Sequence, residues 1–244
     1  MTENMSKQGV LLVNLGSPDS TEIPDVRKYL NEFLWDGRVI DHPWLLRRFV
    51  VIMVLRKRPA ASAEAYESIW TEEGSPLVAT SRKATKHLEK QIDLPIELAM
   101  RYQNPSIGSA LEKLAKQGVD DLLLIPLFPH YAMSSFETAV ERVKELISKN
   151  HKGMSLKVQP PYYDHEGYID ALSNSMRPFL EAPFDKLLFS YHSIPKRHVT
   201  NYNAQTKSHC LKTEDCCEGC HPVHDVCYRA QCLKTTQAVV ERLG

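Results

Sequence analysis

The sequence predicts an α/β protein built on parallel sheet. Short apolar runs of strand character alternate with longer segments of helical periodicity. Turn residues punctuate the junctions between them. Polar clusters at Asn14–Ser17, Pro129–Ser135 and His192–Ser193 fall at the carboxyl ends of the strand runs, where open α/β sheets hold their ligands.

The elements follow in order. Val10–Leu15 is an apolar run stopped by Gly16-Ser17-Pro18. Pro24 opens a helical pattern with Val26, Leu30, Phe33 and Leu34 on one face. Ile96, Leu98 and Met100 alternate as in a strand. Ser106 is placed to cap a helix whose Ile107, Ala110, Leu111 and Leu114 point inward and which Gly118 ends. Asp121–Leu127 reads as a buried strand. Ser134-Ser135-Phe136-Glu137 fits a capping box, and Phe136, Val140, Val143 and Ile147 follow at helical spacing. Val158–Tyr163 covers a strand end with a Pro-Pro exit. Gly167–Leu180 reads as helical, Leu187–Tyr191 as another apolar strand, and the last helix runs from Tyr228 to Leu243. A chain of 244 residues suits one large α/β domain or two small ones. The expected division is 8–125 and 126–244.

Hydrophobic content of 43% supports a packed core. Thirty basic and thirty acidic side chains cancel, so charge gives no reason to expect nucleic acid as a partner. The opening MTENMSKQ has no apolar signal-peptide core, and no run approaches bilayer-spanning length. The expectation is a cytoplasmic protein. One segment qualifies it. His42–Arg48 leads into the apolar run Phe49–Leu55, closed by Arg56-Lys57-Arg58. That pattern is a core helix, or a basic-flanked helix in peripheral contact with a membrane.

His192 closes the run Leu187–Tyr191. A histidine there can hold a metal or move protons near neutral pH; the plain alternative is a hydrogen-bonded structural histidine. The six cysteines all lie between Cys210 and Cys232. Without an export signal, such a cluster favours metal over disulfides. Cys217 and Cys220 form a C-x-x-C pair, which lets two thiolates ligate one centre, and His221 and His224 add nitrogen donors. An iron–sulfur centre, a structural zinc and free or paired thiols all remain open.

Several segments resemble ferrochelatases, and they do so in family order. Val10-Leu11-Leu12-Val13-Asn14-Leu15-Gly16-Ser17-Pro18 resembles the family's opening strand and turn. Phe33-Leu34-Trp35-Asp36-Gly37-Arg38-Val39-Ile40-Asp41 is similar to its FLxDxRVID segment. Tyr66, Ile69, Trp70 and Gly74-Ser75-Pro76-Leu77 follow its next stretch, and Met100-Arg101-Tyr102 and Pro126–Tyr131 match two more. Phe189-Ser190-Tyr191-His192-Ser193-Ile194-Pro195 resembles the signature that carries the catalytic histidine.

The resemblance implies two Rossmann-like parallel-sheet domains with a cleft between them, the second incomplete here. It implies insertion of Fe²⁺, the metal substrate, into protoporphyrin IX to form protoheme. Coproporphyrin is an alternative substrate, and cobalt or nickel chelation into another tetrapyrrole is a weaker variant. His192 matches the catalytic, metal-handling histidine. Leu15, Arg58, Tyr66, Arg101, Tyr102, Phe128, Ser134 and Ser135 match positions that line the porphyrin or meet its propionates. Family members continue past the last helix into a segment bearing a second catalytic group, a glutamate. No residue here matches it, and Glu241 is a poor substitute. A porphyrin- or heme-binding protein with an iron–sulfur sensor role and no chelatase activity is therefore the competing expectation.

Asp225, Tyr228 and Cys232 resemble the family's stretch before its next helix, so residues 205–224 look like an insert. Some microbial members carry a [2Fe–2S] cluster, and the insert fits that subclass. The resemblance points to Cys210, Cys217, Cys220 and Cys227 as ligands, Cys216 as the alternative, and Cys232 outside the set.

Overall fold

The computed structural model describes residues 6–244. The polar opening MTENMSKQ therefore lies partly, over residues 1–5, outside the described residues. The chain forms two compact units. One runs to Leu127 and resumes over Ser134–Gln159; the other comprises Phe128–Met133 and Pro160–Gly244. The expected division at 125/126 falls inside a strand, and residues 134–159 group with the first unit.

The first unit is an α/β layer structure. Strands β1 (Gln8–Gly16), β2 (Ile96–Tyr102), β3 (Asp121–Pro126) and β4 (Ser155–Val158) form one parallel sheet in the order β2-β1-β3-β4. Central β1 is buried on both faces at Val10–Val13, which is why it reads as a continuous apolar run and not as an alternation. Val158–Tyr163 covers a strand end with a Pro-Pro exit, as expected: β4 ends at Val158, and Pro160-Pro161, lacking ladder donors, carry the chain away from the sheet.

Helices α1 (Ile23–Trp35), α2 (Trp44–Glu67), α3 (Pro76–Glu89), α4 (Ile107–Lys116) and α5 (Thr138–Asn150) accompany this sheet. Ser106 caps α4 by accepting from the Ser109 N–H at 3.2 Å, and the four expected inward residues are buried. Gly118, at φ +82°, ends it as expected. The entry to α5 differs from expectation. Met133–Glu137 winds as a π turn, and Glu137 enters α5 in helical conformation with no side-chain cap. A serine already inside a helical winding lacks the extended backbone that a capping box requires. Glu137 instead accepts a hydrogen bond from Arg38 Nε at 3.0 Å. Phe136, Val140, Val143 and Ile147 are buried nonetheless.

The core-helix reading of the Phe49–Leu55 segment is overturned. Helix α2 buries only Val51, Pro59 and Ala63. Trp44, Leu45, Leu46, Phe49, Ile52 and Met53 are exposed, Leu45 to 72%. Apolar residues surround the helix, but only one stripe can pack inward, so the rest face out. No helix among the described residues is long and apolar enough to cross a membrane.

The second unit contains α6 (Glu166–Leu180), α7 (Lys196–Thr200), α8 (Ala204–His209), a 3₁₀ turn at Pro222–Val226 and α9 (Tyr228–Leu243). Helices α6 and α9 pack on each other. The expected strand Leu187–Tyr191 is not formed: the segment belongs to no helix and no paired strand among the described residues, and Leu188 is 86% exposed. A strand exists only through a ladder partner, which periodicity along one segment does not supply.

Candidate functional site

The sheet of the first unit delivers Asn14–Ser17 and Arg101–Tyr102 to one end of adjacent strands. Gly16 sits at φ +107°, and a Cβ there would lie 2.1 Å from the Tyr102 carbonyl oxygen. Only glycine lets the two strand ends approach so closely. Leu15 is half-buried beside it, its N–H donating to Asn14 Oδ1 at 2.8 Å.

Arg101 and Tyr102, expected to meet substrate, are given to an internal network. Asp36 caps the carboxyl end of α1 and accepts from Arg101 Nη2, from the Thr138 hydroxyl and from the Tyr102 hydroxyl, the last at 3.0 Å. Arg101 Nε also donates to Thr138 Oγ1 at 2.7 Å, and its guanidinium lies 4.4 Å from the Tyr102 ring centroid. Tyr102 is fully buried. A buried carboxylate is expensive without partners, so the nearest cation and hydroxyls are drawn to it. The sequence contains all four residues but no signal of their convergence.

Burial alone would raise the Asp36 carboxyl. The Thr138 hydroxyl, the Arg38 backbone N–H, the Arg101 guanidinium and the Tyr102 hydroxyl together hold it below the ordinary carboxylate value. Burial pushes the Tyr102 phenol up.

The other expected contacts of this unit are dispersed. Arg58 is exposed on α2 with no carboxylate partner among the described residues. Tyr66 is half-buried, edge-on to Tyr29 at 6.2 Å and to Trp70 at 6.3 Å. Ser134 and Ser135 are half-buried in the π turn before α5.

In the second unit, His192 is exposed on the irregular segment that leads into α7. It lines a concavity of 460 Å³, within the range of small-molecule sites. The wall is almost wholly apolar: Ile194, Val199, Leu211 and Leu233, with Tyr191, Tyr228 and Cys232. Lys196 and Arg229 are its other basic residues. Tyr191 donates or accepts with Thr236 Oγ1 at 2.8 Å.

Behind this wall lies an aromatic box that pattern reading did not reveal. His130 stands edge-on to Tyr191 at 5.7 Å and near-perpendicular to Tyr228 at 5.9 Å, and it bonds Thr235 Oγ1 at 2.9 Å. Burial lowers His130 to about 4, so it is neutral at physiological pH. Phe128, the remaining expected porphyrin contact, is half-buried two residues before it.

The cysteines divide by burial. Cys210, Cys216, Cys217 and Cys227 pack in one apolar cluster with Val199, Val223 and Ala230. Cys220, expected as a ligand, is exposed and stands outside that cluster. Gly219, at φ +63°, turns the chain outward there. Cys232 is buried on α9 and is also outside it. Cys216 Sγ receives the Leu211 N–H at 3.3 Å, lies 3.8 Å from Arg229 Nη1 and is 3.9 Å from Cys217 Sγ. Burial, then the neighbouring Cys227, pushes both Cys210 and Cys217 up to about 12. His209 and His224 both bond the Cys216 carbonyl, at 2.8 and 3.0 Å. No three His, Cys, Asp or Glu side chains converge in ligating geometry among the described residues.

A family model described as Ferrochelatase matches residues 7–244. The chain is 48% identical to the ferrochelatase of Ectopseudomonas mendocina, over 98% of this chain and 71% of the relative. It is 46% identical to those of Pseudomonas putida and Stutzerimonas stutzeri, again over 98% of this chain, covering 72% and 71% of them.

The Asp36 network has a pH signature. Its depressed carboxyl contributes stability that is present above the unfolded value, about 4, and is lost as pH falls through the folded one. Asp36→Asn strands the buried Arg101 charge and is expected to cost about 3–5 kcal/mol at neutral pH. Urea unfolding should show that gap between wild type and variant narrowing in acid; a gap constant from neutral pH into acid would remove Asp36 from this role.

Proposed function

Because the chain belongs to the ferrochelatase family, we propose that it inserts ferrous iron into protoporphyrin IX to give protoheme, acting as a metal-inserting lyase of heme biosynthesis. Identity of 48% sustained over 98% of the chain carries this reading. In the reaction two pyrrole N–H protons leave as Fe²⁺ forms bonds to the ring nitrogens. An imidazole held against an apolar surface is suited to accept such a proton. His192 is that group. The apolar wall around it favours a flat hydrophobic ligand, and its exposure leaves the ring accessible to substrate. Arg58, Tyr66, Leu15, Phe128, Ser134 and Ser135 remain the proposed porphyrin contacts. Arg101 and Tyr102 act beneath them, by fixing the Asp36 end of α1.

The cysteine insert is proposed to hold a [2Fe–2S] cluster. Four thiols gathered in an apolar pocket make a soft donor set suited to it, and bound there the cluster would supply one-electron redox chemistry. Burial favours Cys210, Cys216, Cys217 and Cys227 as its ligands, with Cys216 in place of Cys220. N–H donors directed at the Cys216 sulfur suit a thiolate.

Helix α2 is proposed to bring a cytoplasmic protein to a membrane face. Trp44, Leu45, Phe49 and Ile52 would enter the interface, with Arg56 and Lys57 on the anionic headgroups.

Three measurements test these assignments. Anaerobic incubation with protoporphyrin and Fe²⁺ should give the absorbance of metalloporphyrin, abolished by His192→Ala with helical circular dichroism retained. Porphyrin binding without turnover in the unsubstituted protein would replace the enzyme reading with the binding-protein one. Cys216→Ser should lower bound iron and acid-labile sulfide while Cys220→Ser leaves both intact; the reverse would restore Cys220 as ligand. Co-sedimentation with phosphatidylglycerol vesicles should exceed that with phosphatidylcholine and fall in Phe49→Glu; equal recovery with and without vesicles would end the membrane assignment.

A further inference from the structure

Gln231 stands one turn into α9, and none of its surface is exposed. Its backbone N–H closes the first turn on the Cys227 carbonyl at 3.1 Å, and Cys227, the N-cap, lies in the apolar cysteine cluster. A side-chain amide at that depth is costly unless its polar atoms are paired. Both are, and the partners lie on two different segments.

The amide nitrogen donates to the carbonyls of His224 and Asp225, at 3.0 and 2.8 Å. Those carbonyls belong to the 3₁₀ turn Pro222–Val226, inside the cysteine-bearing stretch. Three contacts tie that turn to the cysteines. Val223 packs in their cluster, the His224 ring bonds the Cys216 carbonyl at 3.0 Å, and the His224 carbonyl accepts from the Cys227 N–H at 3.2 Å. On its other side the Gln231 amide oxygen accepts the Tyr131 N–H at 2.6 Å. Tyr131 is buried in the Phe128–Met133 segment of the same unit. Only a primary amide puts an acceptor and two donors on one planar group, and asparagine carries it on a stem one methylene shorter.

We infer that Gln231 is a positioning residue that couples the cysteine-bearing stretch to the Phe128–Met133 loop, its NH₂ group holding the 3₁₀ turn and its carbonyl oxygen holding the Tyr131 main chain. The coupling runs through one planar group. A turn fixed by its cysteines keeps the amide in one rotamer, and that rotamer keeps the Tyr131 N–H in place. Filling of the cysteine pocket is therefore felt at the loop that carries Phe128 and His130, and by linkage whatever orders the loop favours filling. That last step rests on the [2Fe–2S] reading; the two-sided clamp rests on the hydrogen bonds alone. Gln231 is not among the residues of the His192 concavity and acts through others.

The test reads amide hydrogen exchange at residue resolution in the full chain. Gln231→Met fills the same space without donor or acceptor. The Tyr131 amide should exchange about tenfold faster in it, as expected for one lost hydrogen bond. The His224 and Cys227 amides should quicken too, while Leu11 and Leu12 of β1 keep wild-type rates. Gln231→Glu retains an acceptor and loses both donors, so the turn should loosen with Tyr131 less affected than in Gln231→Met. Thr235→Val removes the His130 and Tyr163 bonds from the next turn of the same helix and should leave the His224 and Cys227 amides alone. Metal-free wild type is then compared with wild type reconstituted anaerobically with iron and sulfide. Loading should slow exchange at Tyr131, and Gln231→Met should abolish the difference. An unaltered Tyr131 amide in Gln231→Met, or acceleration of every amide including those of β1, would overturn the clamp. Loaded wild type whose Tyr131 exchange matches that of the metal-free protein would overturn the coupling, and this comparison needs no variant. Wild type that takes up neither iron nor sulfide would sink the cluster reading and, with the variant rates as expected, uphold the clamp.

Discussion

The first unit depends on one buried carboxylate. Asp36 ends α1, Arg101 and Tyr102 end β2, and Thr138 begins α5. Each of these elements brings its terminus to the same point, and one oxygen of Asp36, Oδ2, accepts from three side chains, Arg101 and Tyr102 of β2 and Thr138 of α5. Leaving any one donor out would strand a buried polar group, which costs more than the bond it replaces contributes. The geometry of the strand ends therefore follows from satisfying Asp36, and Gly16 makes the approach sterically possible by leaving the Tyr102 carbonyl uncrowded.

Long-range order in the second unit comes from α9, not from a sheet. One face of that helix holds His130 and Tyr163 through Thr235, the Tyr131 N–H through Gln231, and Tyr191 of the histidine segment through Thr236. Gln231 is completely buried, yet its amide nitrogen donates to the carbonyls of His224 and Asp225. A polar face at this depth is sustained by full pairing. It gives α9 a specific rotation about its axis that apolar packing alone would leave loose.

Much of this architecture was legible in the sequence where local periodicity and local chemistry agree. Helices α1, α4, α6 and α9, the parallel strands β1 to β3 and the Ser106 cap are such cases. Where the outcome depends on partners distant in sequence, the pattern failed. The capping-box motif at Ser134 gave way to a π turn because Glu137 pairs with Arg38. Leu187–Tyr191 has strand composition and no ladder. The pattern does not reveal α3 because polar Ser81 and Thr85 occupy its buried face beside Ala79. In the site, motif resemblance singled out His192, which lines the apolar concavity, and grouped Arg101 and Tyr102 with it as porphyrin-cleft residues, whereas both bond Asp36. Spacing favoured Cys220 through its C-x-x-C pair; burial favours Cys216, a distinction that needs three dimensions.

The irregular stretch around Leu187 and Leu188 also bears on how the molecule behaves in concentrated solution. Exposed Leu188, beside peptide groups that no ladder occupies among the described residues, offers a place where a second such stretch could add, edge to edge. Crowding between molecules would then be self-templated at one short site, and its onset would depend on concentration and not on the stability of either unit.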